Sequence, residues 1–182
     1  MKEGQDSPAA LSASGEQYFQ FLAEMGVTKH FGSYNVTREL IARCHIGAGA
    51  EVLDVGCGVG ATPSLLAQEV GCRVTGVDIT PRMLVRAQDR AARAGVSAQV
   101  DLCAGDARAL SFADHRFDAV ICESVVVFVA DKQRVVDEFA RVTRPGGYVG
   151  LTEVTLLQPT DDAEFMAYMN RVAGCQGEML SK

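Results

Sequence analysis

From about residue 36 onward, short apolar runs alternate with segments whose apolar residues recur at helical spacing. In "VTRELIARCHIGAG", Leu40, Ile41 and Cys44 share one helical face, and Gly47 is the expected stop. The run "EVLDVG" predicts a strand. It is followed by "ATPSLLAQEVG", with Thr62 as expected N-cap, Pro63 in the first helical position and Gly71 as terminator. The same order repeats in the strand "CRVTGVD" and the helix "TPRMLVRAQDRAARAG", which opens at Thr80 and Pro81 and closes at Gly95. Two further strands are expected in "AQVDLCAGD" and "FDAVICE". A helix over 131–142 places Val135, Val136, Phe139 and Val142 on its apolar face, and "RPGGYVGLTEVTLL" predicts a turn feeding a fifth strand. A last helix in "DDAEFMAYMNRVAG" carries Phe165, Met166, Met169 and Val172, a stripe that reads as core packing.

Strands alternating with crossover helices predict an α/β protein: a doubly wound parallel sheet of five visible strands with helices on both faces. In such a sheet ligands bind beyond the carboxyl ends of the strands. That rule puts the loop at Gly56–Gly60, Asp78, the Gly105–Asp106 pair and Glu123 along one rim.

Composition narrows the class of function. The chain has 182 residues, 48% of them hydrophobic and 22% charged, as in an ordinary globular domain. A net charge of −6 and the lack of a basic stripe argue against nucleic acid and anionic lipid as partners. The most apolar run, "VVVFVA", is too short to span a bilayer. Residues 1–17 contain no signal-type apolar core and read as a mobile leader, leaving 18–182 as the folded domain, with a cytoplasmic location expected. Six cysteines without a C-x-x-C pair read as free thiols, and His30, His45 and His115 show no ligand spacing, so no metal is expected.

The chemistry concentrates in "EVLDVGCGVGATP". Three glycines between a strand and a helix let backbone approach a ligand closely. Taken alone, "GCGVGA" fits the dinucleotide fingerprint, and Asp78 lies roughly 20 residues further on, where an acid holds ribose hydroxyls. Asp54 changes the balance. A pyrophosphate at the helix start would face a like-charged carboxylate, whereas a ligand with an ammonium group would be attracted. S-adenosylmethionine is such a ligand: it has adenosine, a sulfonium, an ammonium and a carboxylate, and no phosphate.

"EVLDVGCGVG" resembles motif I of the class I S-adenosylmethionine-dependent methyltransferases, an apolar strand followed by D-x-G-x-G-x-G. "VTGVDIT", "CAGDA", "FDAVICE" and "VTRPGGYVGLTE" resemble that family's later motifs in the same order, and "FGSYNVTRELI" is similar to the leading helix of its ubiquinone and menaquinone type, small-molecule members. The resemblance implies a Rossmann-like fold and the cofactor S-adenosylmethionine, with S-adenosylhomocysteine as product. It implies cofactor contacts from Asp54, Gly56, Cys57, Gly58 and Gly60. Asp78 would take the ribose hydroxyls, Asp106 the adenine amino group, and Gly105 and Ala107 would offer backbone beside it. Ile79 and Met83 are expected apolar walls for the adenine. Glu123 stands at a strand end where it could face the ammonium, the methyl acceptor or water. His30, Tyr18 and Tyr34 fall in the segment that folds over the active site in the family, and His30 and Tyr34 are the candidates for acceptor binding. Cys57 has no neighbouring histidine or second cysteine to activate its thiol.

The expected reaction is in-line transfer of a methyl group to a small-molecule acceptor, with no catalytic residue assigned. Two other readings stay open: a nicotinamide-dependent oxidoreductase, resting on "GCGVGA" and Asp78, and a non-catalytic cofactor-binding fragment or partner subunit. Family members continue through a further helix to an antiparallel strand pair, for which there is no room before Lys182. An open fifth strand would then favour a homodimer through the sheet edge.

Overall fold

The computed structural model describes residues 20–22, 24–25, 33–153 and 163–168. The expected leader, Tyr18, His30 and Cys175 lie outside them. Helix α1 (Ser33–Arg43) leads into strand β1 (Glu51–Val55), helix α2 (Ala61–Leu65) with a π-helical continuation over Leu66–Val70, and strand β2 (Arg73–Asp78). Helix α3 (Pro81–Arg93), strand β3 (Val100–Ala104) and strand β4 (Phe117–Glu123) follow. A single 3-10 turn (Val126–Phe128), helix α4 (Lys132–Val142), strand β5 (Thr143–Thr152) and a short helix α5 (Ala163–Tyr168) complete the described chain. The methionine stripe expected around α5 lies outside the described side chains.

The five strands form one sheet in the order β3-β2-β1-β4-β5. Every pairing between these five strands is parallel. The near-continuous apolar character of β1 and β4 follows, because both faces of these central strands are covered. On one face Leu40 and Ile41 of α1 and Cys44 just after it pack with Leu65 and Leu66 against Val52, Val74 and Ile121. On the other, Val135, Phe139 and Val142 of α4 close over Leu53, Val55, Phe117 and Val120. Val136, expected on that inner face, is instead 40% exposed. A face set by i, i+4 and i+7 leaves the i+1 position at its edge.

Helix ends show where local signals and tertiary demands part. Gly95 takes the left-handed position after α3, with Gly95 N donating to Ala92 O and Val96 N to Ala91 O, the closing pattern that glycine favours. After α1 the same pattern is closed by His45 at φ 49°, two residues before the glycine expected to do it. Thr62 is not the N-cap of α2. Gly60, at φ 75°, occupies that position, so the helix starts at Ala61 and Pro63 sits in its first turn, where no amide donor is required. Strand β5 also starts early: Phe117 pairs with Thr143 but Ala119 with Tyr148, so the Pro145-Gly146-Gly147 excursion lies inside the strand as a bulge.

Candidate cofactor site

Parallel pairing brings the carboxyl ends of the strands to one rim. Val55 lies opposite Val77, Asp78 opposite Ala104, and Glu123 opposite Thr152. The glycine loop is pinned there by its own backbone: Gly56 N and Cys57 N both donate to Val77 O, at 2.7 and 3.0 Å, and Gly60 N donates to Cys57 O at 2.9 Å. Gly60 is required by packing as well as by its positive φ, because a Cβ there would lie 2.8 Å from Ala87 Cα on α3. Gly58, at φ 52°, differs. A Cβ there would meet nothing within 4 Å, so this part of the loop presents bare backbone to open space. A Cβ on Gly56 would collide with the side chain of Val125, just beyond β4.

Asp78 is the loop's second anchor. Its Oδ2 accepts from Gly58 N and its Oδ1 from Thr80 N, each at 2.8 Å. Thr80 therefore marks the start of α3 without capping it through its own hydroxyl. Burial raises the Asp78 carboxyl above its ordinary range, and the two amides oppose that rise. Each oxygen retains a further lone pair, enough to accept from a diol.

Asp54 is 2% exposed, and its Oδ2 has no hydrogen-bond partner. Burial, then the nearby charges of Glu123 and Asp78, push its carboxyl well above the ordinary range. Glu123 is committed to the scaffold: Thr62 Oγ1 donates to its Oε1 at 2.8 Å and Thr37 Oγ1 to its Oε2 at 3.0 Å, tying α1 and the start of α2 to the end of β4. Neither threonine stands out in the sequence as a site residue: Thr62 reads as a local cap, and the partner that recruits its hydroxyl is distant in sequence.

The remaining candidates divide. Gly105 N donates to Asp78 O at 3.1 Å, which seats the third loop beside the second. Asp106 is held by Arg108, whose Nη2 lies 2.6 Å from Oδ2 and whose Nε lies 3.0 Å from Oδ1, and this pairing keeps the carboxyl below its ordinary range. Ala107 packs against the apolar cluster under α4. Ile79 is 48% exposed at the rim, whereas Met83 is buried with Leu22 and Val59. Cys57 is buried, and burial with the charges of Asp54 and Asp78 pushes its thiol well up, leaving it protonated and unsuited to nucleophilic attack. Tyr34 lines a groove of about 390 Å³ with Arg38, Ala61, Ser64, Arg90 and Arg93. His30 lies outside the described residues. Among the described residues no group of His, Cys, Asp and Glu has the arrangement of a metal site, and no helix is long and apolar enough to cross a membrane.

A glycine loop between β1 and α2, an acid closing β2 and a buried, unpartnered carboxyl near the end of β1 are the arrangement of a nucleoside-binding parallel-sheet protein. Residues 53–151 match the methyltransferase domain family, and the chain belongs to it, as a class I, S-adenosylmethionine-dependent member. It is 35% identical over 127 residues to the methyltransferase GfsG of Streptomyces halstedii, covering 70% of this chain and 46% of that protein. The chain thus spans about half the length of this relative. A methyltransferase from Geobacter sulfurreducens in complex with S-adenosyl-L-homocysteine shares the fold, with a TM-score of 0.67 at 24% identity over 88% of this chain and 65% of that one. The [4+2]-cyclase SpnF is also similar, with a TM-score of 0.70 at 25% identity over 80% of this chain and 61% of that one.

Proposed function

We propose that this chain, over residues 18–182, is the cofactor-binding domain of an enzyme that moves the methyl group of S-adenosylmethionine onto a small-molecule acceptor. The observation that carries the reading is Asp54: a buried carboxylate oxygen without a donor, beside backbone that stands open at Gly58. A cationic amino-acid tail supplies what that position lacks, and a pyrophosphate would add charge to three acids already close together. In the same proposal Asp78 holds the ribose hydroxyls, Ile79 lies against the adenine, and Asp106 reaches the adenine amino group while still paired with Arg108.

The cofactor supplies an activated methyl on a sulfonium. The protein's part is to orient: in-line alignment of donor and acceptor contributes about 7–11 kcal/mol when geometry approaches attack. The similarity to a cyclase shows why a test must observe transfer, since one fold hosts more than one reaction. Incubation with methyl-labelled S-adenosylmethionine and a panel of amines, phenols and carboxylic acids should give S-adenosylhomocysteine and a labelled product in equal amounts, and Asp78→Ala should abolish both. Tight cofactor binding with label transferred to no acceptor would replace transfer by a binding role.

Homodimerisation belongs to the same proposal. Among the described strands β5 lies at the edge of the sheet, and its Tyr148, Val149 and Leu151 are each about two-fifths exposed. A concentration-dependent doubling of mass in light scattering would support it.

A further inference from the structure

Among the described residues, four buried side-chain polar atoms have no hydrogen-bond partner: Asp54 Oδ2, Ser64 Oγ, Thr152 Oγ1 and Glu153 Oε2. Asp54, Thr152 and Glu153 lie at the ends of β1 and β5, on the ligand rim. Buried polar atoms usually find partners, so a cluster of exceptions at one rim points to groups that a ligand brings. The cofactor's ammonium accounts for Asp54. Glu153 belongs to a different place, because β4 separates β1 from β5 in the sheet.

The Glu153 carboxylate is held on one side only. Its Oε1 accepts from Val125 N at 2.8 Å and Val126 N at 2.6 Å, the backbone just beyond β4. The Val125 side chain is the one that a Cβ on Gly56 would strike, so Val125 meets this carboxylate through its amide and the glycine loop through its side chain. Two amides fix the orientation of the group, and the second oxygen is left for another donor.

We propose that Glu153 is the catalytic residue facing the methyl acceptor, with Oε2 taking the proton of an N–H or O–H nucleophile. The inference rests on the methyl-transfer reading above. As the acceptor's nitrogen or oxygen forms its bond to the methyl carbon, the carbon–sulfur bond breaks and its electron pair neutralises the sulfonium. The acceptor's proton passes to Glu153, whose carboxylate becomes a carboxylic acid. One positive and one negative charge disappear together, and no other reagent is needed. Burial raises the Glu153 carboxyl above its ordinary range against the pull of the Val126, Val125 and Val127 amides and of Lys132, which makes it a stronger base than an exposed glutamate. The other ionisable groups at this corner are Cys122, whose thiol feels Glu153, Asp54 and Glu123 together, and Lys132 on α4.

Glutamine at position 153 can keep the two amide bonds and cannot take the proton, so Glu153→Gln separates catalysis from support of the turn. The protein is labelled with carboxyl-13C glutamate, the Glu153 signal is assigned by its loss in Glu153→Gln, and binding of S-adenosylhomocysteine is verified first by calorimetry. Failure at that step removes the cofactor reading and is visible before Glu153 is tested. The complex is then titrated with ethylamine and with phenol. The signal should move with at least one probe, ethylamine marking an N–H acceptor and phenol an O–H acceptor. Glu153→Gln should weaken that probe by about tenfold or more while S-adenosylhomocysteine affinity and melting temperature stay unchanged. In turnover, kcat should fall by about 10²–10⁴-fold with KM for S-adenosylmethionine preserved. A Glu153 signal indifferent to both probes, an unchanged kcat, or a parallel loss of cofactor affinity and stability would overturn the proposal.

Discussion

Replacing Asp54 with asparagine keeps shape and removes charge at the centre of the rim. Asp54 is buried at the end of β1, its Oδ2 lacks a donor, and Glu123 and Asp78 lie close enough to raise its carboxyl. Two effects of opposite sign follow. The cofactor loses a charge-assisted hydrogen bond from its ammonium, worth about 1.5–3 kcal/mol, so the Kd for S-adenosylhomocysteine should rise roughly 10- to 150-fold. The cofactor-free protein loses a repulsive buried charge. A carboxyl raised on folding contributes stability below its unfolded pKa, and that contribution is lost as pH rises through the folded value. Asp54→Asn should therefore be at least as stable as the parent protein at pH 8, with the difference narrowing toward pH 5. Calorimetry measures affinity, and thermal denaturation at both pH values measures stability. The control ligand is 5′-methylthioadenosine, which lacks the amino-acid tail and should bind both proteins equally. An equal loss for both ligands would refute the assignment of the ammonium to Asp54.

The same proton linkage makes cofactor affinity rise with pH as Asp54 ionises, a trend that Asp54→Asn should flatten in calorimetry across pH 5–8. Gly60→Ala combines a left-handed backbone with a Cβ 2.8 Å from Ala87 Cα and should cost about 2–4 kcal/mol in denaturant unfolding, whereas Gly58→Ala, with open space before it, should cost less and act mainly on ligand binding. Arg141→Met should destabilise by about 3–5 kcal/mol in urea unfolding, because buried Glu138 loses its guanidinium partner and the Leu110 and Phe112 carbonyls lose their donor. Glu138 is held below its ordinary range by Arg141, so this contribution is present above the unfolded pKa and fades as acid titration passes through the folded value.

Much of the fold is legible in the chain because its causes are local. The apolar runs of β1 and β4 and Gly95 after α3 each follow from a residue and its immediate neighbours. The strand-end rule then collects the Gly56–Gly60 loop, Asp78, the Gly105–Asp106 pair and Glu123 without any knowledge of contacts. What escapes the sequence depends on partners far along the chain. Thr62 resembles a cap until Glu123, distant in sequence, takes its hydroxyl, and Gly60 then starts the helix one residue earlier. His45 closes α1 in place of Gly47, because the apolar contact of Ile46 with the core sets the position of the turn. Asp106 is the reverse case. Its Arg108 partner is two residues away and readable from "GDAR", although spacing alone does not show that the guanidinium binds both oxygens.

The most direct test of the central claim is calorimetric titration of the purified chain with S-adenosylhomocysteine, repeated with excess NADH present and with Asp78→Ala. The account predicts saturable one-to-one binding that NADH leaves unaltered. Asp78→Ala should lose that binding, since Gly58 N and Thr80 N lose their acceptor along with the ribose contact. Displacement of S-adenosylhomocysteine by NADH, or binding that survives Asp78→Ala unchanged, would contradict it.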